Sequence, residues 1–173
     1  MKPALWSRLD IIARRVTPFG LTVLLVLFNI LPMQIPGLSR VMPLFPLMSI
    51  YIWAVHQPGL LPAYAVFLIG FLQDTLIGTP IGLHIVTYLL VYGTVVWQRR
   101  FLAGKPFAVI WVGFSLVAAG ATIANWIVLS LFYLAAIQID SLVFQYLLSL
   151  GVFPILSWFF MRWQFAFLTD LGE

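Results

Sequence analysis

The stretch GFLQDTLIGTPIG, Gly70 to Gly82, sets a carboxylate, Asp74, and an amide, Gln73, inside an almost unbroken apolar run. Gly78, Pro80 and Gly82 follow, and His84 lies just past them. A carboxylate and an imidazole at this spacing invite two chemical readings, hydrolysis and metal binding, and the chain supplies too few partners for either. A covalent hydrolase needs a nucleophile with a positioned base. The ionisable residues expected at this end of the fold are only Arg40, Asp74, His84 and Asp140. Cysteine is absent, which removes a thiol nucleophile, a thiolate metal site and a disulfide framework. His84 lacks a second ligand cluster, and the topology derived below puts His56 at the opposite end. There is no P-loop and no dinucleotide fingerprint. The sequence therefore predicts no enzyme, no metal and no cofactor.

Two roles remain open for Asp74. An ionisable group in an apolar segment faces the bundle interior and takes a partner. Arg40, His84 and the backbone N–H groups of Gly78–Gly82 are the candidates. In the first role Gln73 and Asp74 fix a turn by hydrogen bonding, Gly78, Pro80 and Gly82 shape it, and His84 is a packing residue. In the second role these residues form a site for a ligand or a partner helix.

The elements that must position them are read from composition and hydropathy. The chain has 173 residues, 63% hydrophobic and 8% charged, with a mean hydropathy of +1.08. Soluble domains are about 45–50% apolar and about 25% charged. This is the composition of an all-α, polytopic membrane protein forming a single membrane domain, residues 1–173. A spanning helix needs about 20 mostly apolar residues. Spans are expected at about 17–35, 38–55, 60–77, 81–97, 107–135 and 142–161. The net charge of +4 has meaning through its placement, and it does not indicate a nucleic-acid partner. Six spans with a cytoplasmic N-terminus put Lys2, Arg8, Arg14, Arg15, Arg99, Arg100, Lys105 and Arg162 inside and Arg40 alone outside, as the bias of short loops requires. The second span contains Pro43 and Pro46, which are expected to kink it. Omitting that span would move Arg99, Arg100 and Lys105 outside, so it is retained.

Residues 1–16 form a basic arm in which Leu5, Leu9, Ile12 and Val16 recur at helical spacing. It reads either as an amphipathic helix on the inner leaflet or as an orientation signal alone. A cleaved signal peptide is not expected. Trp6, Trp53, Trp97 and Trp163 read as an interfacial aromatic belt. The fifth span carries a small-residue strip, Gly113, Gly120 and Ala124, with Asn125 beside it. Such strips let helices approach closely, either within the chain or toward another protein.

The segment FPLMSIYIWAVHQPGLLPAYAVFLIGFLQDTLIGTPIGLH resembles the rod shape-determining MreD family. The resemblance rests on Pro46, Tyr51, Trp53, Pro58 and a G-x-x-x-D-x-x-x-G-x-P-x-G hairpin, here Gly70, Asp74, Gly78, Pro80 and Gly82. It is specific over Phe45–His84, and Ile81 stands where the family pattern has leucine. The resemblance implies a non-enzymatic subunit of the bacterial cell-elongation (rod) complex, or elongasome. Such a subunit sits in the inner membrane with both termini cytoplasmic and supports peptidoglycan synthesis, the cell wall and cell shape. The partners implied are MreC directly, and RodA, a class B penicillin-binding protein and MreB through the complex, together with membrane lipid. The implied fold is similar to the six-helix S-component of energy-coupling-factor transporters. That likeness carries an alternative function, intramembrane binding of a small molecule or lipid.

Overall fold

The chain is all-α. The computed structural model describes residues 4–30, 42–134 and 139–168, with side chains at 16–29, 42–134 and 139–162. Among these residues there are six helices and no strand: α1 (Ala4–Ile30), α2 (Phe45–His56), α3 (Ala63–Ile77), α4 (Leu83–Leu102), α5 (Phe107–Tyr133) and α6 (Ile139–Leu168).

The shortest helix is the centre. α2 has 12 residues, and every residue from Pro46 to Val55 is buried. At 1.5 Å per residue it is only about 18 Å long. Its prolines act differently from the expected kink. Pro43 precedes the helix, and Pro46 occupies the first turn, where a backbone N–H has no intrahelical acceptor. They set where the helix starts: residues 42–44 of the span expected over 38–55 are not helical and α2 begins at Phe45, while residues 38–41 lie outside the described residues.

A short helix enclosed by others leaves its end groups away from solvent, and each must find a partner. Neighbouring helices supply them. Asn29 of α1 donates to Pro43 O (2.9 Å), Gln145 of α6 donates to Met42 O (2.9 Å), and Leu44 N–H donates to Ser149 Oγ (2.9 Å). At the other end Arg99 of α4 donates to Val55 O (3.2 Å) and His56 O (3.4 Å), and Tyr92 donates to Pro58 O (3.2 Å). The cation also complements the negative end of the α2 dipole. Midway, Ser49 and Thr22 lie 2.7 Å apart; the Thr22 hydroxyl donates to Pro18 O, so Ser49 is the donor between them.

The core is aromatic around Tyr51. Its ring packs edge-on against Phe114 (5.4 Å) and Phe153 (5.9 Å), and its hydroxyl donates to Ile110 O (2.9 Å). Trp53 belongs to this core and not to an interfacial belt: it is 3% exposed and packs on Phe160. Its place in the fully enclosed helix overrides the usual interfacial preference of tryptophan. Trp97, by contrast, is 81% exposed.

Other boundaries also differ from expectation. The arm 1–16 and the span 17–35 share one helix, which runs from Ala4 through Pro18 to Ile30. α4 continues to Leu102, so the basic loop contracts to residues 103–106, and α6 runs over 139–168 where 142–161 was expected. Two helices are long and apolar enough to cross a membrane: α5, and α6 over Ile139–Arg162. Only 22% and 17% of their most apolar windows are buried, unlike the core helices of a soluble protein.

Candidate functional site

The α3–α4 hairpin gathers most of the polar residues singled out in the sequence. Asp74 is fully buried in the last turn of α3. Its carboxylate receives four hydrogen bonds from the segment that follows. Thr79 Oγ1 (2.9 Å), His84 N–H (3.0 Å) and His84 Nδ1 (2.7 Å) donate to Oδ1, while Gly82 N–H (2.9 Å) donates to Oδ2. Gly82 is the N-cap of α4 and His84 its second residue, so Asp74 caps the following helix across the hairpin. A capping carboxylate satisfies N–H groups that lack intrahelical acceptors and meets the positive end of the helix dipole.

The rest of the motif serves the same geometry. Gly78 (φ +78°) closes α3 in the left-handed conformation, with its N–H on Asp74 O (3.1 Å). Gly82 (φ +111°) takes a second left-handed turn just before α4. Pro80 accepts from Leu83 N–H (3.1 Å). A turn back requires φ values that L side chains resist, which is why glycine stands at both positions. Gly70 acts one turn below Asp74. A Cβ there would lie 2.6 Å from Ile85 Cα and 2.8 Å from Ile85 N, so its absence brings the two backbones into contact.

Gln73 is 3% exposed, and its Oε1 has no hydrogen-bond partner among the described residues. Arg40 lies outside the described residues. Asp140 is exposed in the first turn of α6. His56 Nδ1 donates to Ile52 O (3.0 Å), and Arg99 donates to His56 O nearby. It therefore lies about 22 Å from His84, the length of α4 between residues 84 and 99. Among the described residues no three of His, Asp and Glu cluster as metal ligands.

The small-residue strip divides in two. Gly113 is consumed internally, because a Cβ there would meet the Tyr51 hydroxyl at 2.6 Å. Gly120 and Ala124 are exposed, and nothing lies within 4 Å of a Cβ built on Gly120. With Thr87, Leu90, Val91 and Thr94 of α4 they line a groove of about 180 Å³. Above it, Thr87 Oγ1 donates to Asn125 Oδ1 (2.6 Å) and ties α4 to α5. Next to that bond is a cavity of about 30 Å³, lined by His84, Thr87, Asn125 and Gln145 among others. One water needs about 10–15 Å³ of such space. Small-molecule pockets run to about 300–1,000 Å³.

Sequence reasoning missed Thr79, Thr87, Ser149 and Arg99 as fixing residues. A hydroxyl inside the turn after a buried carboxylate was the available signal for Thr79. Ser149 and Arg99 act on helices distant in sequence, and no local spacing announces them. Comparison with known proteins found no matching family model, no similar curated protein and no similar solved structure.

Proposed function

We propose that this chain is a multi-pass inner-membrane protein acting as a non-enzymatic subunit of a bacterial cell-elongation complex, of the MreD type. In this reading it seats the single transmembrane helix of MreC and, through it, supports peptidoglycan synthesis and rod shape. The residue pattern over Phe45–His84 is the ground for the family. The observation that carries the docking role is the groove at Gly120 and Ala124, which is open to the outside of the bundle.

Physical argument favours a helix there. Lipid is as apolar as a side chain, so helices associate in a bilayer through close backbone approach and a few polar contacts. Gly120 and Ala124 permit that approach. A larger groove of about 380 Å³ between α5 and α6 includes Ala119 but is lined mostly by larger residues, among them Ile123, Trp126, Leu142, Val143 and Tyr146, whose bulk keeps a backbone away over most of its length. The polar hairpin, meanwhile, satisfies its carboxylate internally, and the cavity beside it is about 30 Å³. That volume leaves no room for a small molecule beside the hairpin.

Six crossings with both termini cytoplasmic complete the reading. The outer surface is apolar, with Leu116, Leu131 and Ile155 about 70% exposed. Contiguous exposure on that scale suits lipid and not water. α2 is too short to cross alone, and its enclosure means it need not face lipid.

Gly120→Leu tests the assignment. The variant is expected to express and melt like wild type, because the position is open, yet to lose MreC on co-purification and fail to support rod shape. If Gly120→Leu keeps MreC, the groove is not the docking site.

A further inference from the structure

The charges of the described side chains are segregated. Arg99, Arg100, Lys105 and Arg162 lie at the end where α2, α4 and α6 finish and α5 begins. Both carboxylates, Asp74 and Asp140, lie at the other end. Two of the four cations are engaged: Arg99 holds the end of α2, and Arg162 stacks over Trp158 at 5.4 Å. Arg100 and Lys105 are exposed and have no partner among the described residues. Gly104 (φ +80°) turns the chain after α4, and Lys105 N–H bonds back to Leu102 O (3.3 Å). The turn therefore keeps Lys105 at the helix end that carries Arg100.

The surroundings of this pair are apolar. Trp97 (81% exposed) and Phe101 (76%) lie one helical turn apart on α4. Leu90 and Val86 continue the same exposed face toward the other end of the helix. An acidic protein surface would call for cations without such neighbours. Aromatic rings followed by unpaired cations at one helix end match the headgroup level of an anionic leaflet.

We propose that Arg100 and Lys105, flanked by Trp97 and Phe101, bind one anionic phospholipid. The phosphate is held by the guanidinium fork and the ammonium, and the acyl chains lie along the Phe101–Trp97–Leu90 face. This rests on the membrane reading above and is independent of the groove at Gly120. The test uses the full chain in neutral detergent, titrated with phosphatidylglycerol or phosphatidylcholine and read by native mass spectrometry. Wild type is expected to retain phosphatidylglycerol roughly tenfold or more over phosphatidylcholine, given two cations near the headgroup. Arg100→Gln with Lys105→Gln should bring the two lipids level while the lipid-free melting temperature stays unchanged. Equal retention of both lipids by wild type overturns the proposal, as does an undiminished preference in the double variant. Capture of an acidic protein that the double variant loses, with both lipids binding equally, overturns it in favour of a protein-docking patch. A chain that stays soluble and monodisperse without detergent would instead defeat the membrane reading itself.

Discussion

At the scale of single residues, Asp74 is a structural anion. Its four donors come from Thr79, Gly82 and His84, so one carboxylate closes the turn, caps α4 and orients an imidazole. Removing it strands buried donors, each at about 1–3 kcal/mol. Asp74→Ala is therefore expected to lower the melting temperature in detergent substantially. Asp74→Asn keeps an acceptor oxygen but turns an NH2 toward a donor, so its loss should be smaller. Equal melting temperatures for Ala and wild type would contradict the latch. Glycine positions make a second, sharper prediction. Gly70→Ala sets Cβ against Ile85 backbone, which no rotamer can relieve, whereas Gly113→Ala meets the ends of two side chains, the Tyr51 hydroxyl at 2.6 Å and Leu102 Cδ2 at 3.1 Å. Overpacking of this kind costs about 1–3 kcal/mol. Tyr51→Phe should rescue much of the Gly113→Ala loss and none of the Gly70→Ala loss, measured as melting temperatures of the single and double variants. The apolar context and flanking glycines made Asp74 conspicuous in the sequence. The same sequence left Gly113, Gly120 and Ala124 as one strip, although one of them faces a tyrosine ring and two face outward. Helical spacing gives the phase of a residue, and only the neighbouring helix decides what occupies that direction.

At the scale of elements, the unexpected finding is a 12-residue helix at the centre. Its ends are held by side chains from α1, α4 and α6. Ser149 is fully buried and accepts from Leu44 N–H while donating to Gln145 O (2.7 Å). Ser149→Ala is expected to leave that N–H unpaired and to cost about 1–3 kcal/mol, read as a lower midpoint of thermal unfolding. Ser149→Thr, which keeps the acceptor, should lose less. Hydropathy alone shows an apolar run through this region, so the run was legible and its limits were not. Pro43 and Pro46 were legible as breakers. Whether a proline kinks a helix or begins one depends on whether helical residues precede it, and here the preceding backbone is bonded to α6 instead.

At the scale of the whole molecule, the segregation of charge gives the proposed topology a direct test. A single cysteine placed at Lys105 is clean to label, since the chain contains none. With both termini cytoplasmic, that site should resist an impermeant thiol reagent applied from the periplasm and react after permeabilisation. Ready labelling from outside would reverse the proposed orientation. Replacing Arg99 and Arg100 together should reduce stability through Arg99 and weaken the orientation signal through both, and glycosylation or phosphatase fusions would separate the two effects.

By itself the sequence determined that this chain is helical, apolar in its overall composition, without thiol chemistry, and punctuated by a glycine-framed carboxylate. Those properties are set by residue type and local spacing, because a helix period and a backbone φ are short-range quantities. Tertiary structure alone decided that the carboxylate caps the neighbouring helix, that Trp53 is core while Trp97 is surface, and that Gly113 is packed against Tyr51 while Gly120, two turns along the same face of α5, is open. Each of these depends on which helix lies alongside, and that follows from filling space around α2 while its backbone ends find partners on α1, α4 and α6.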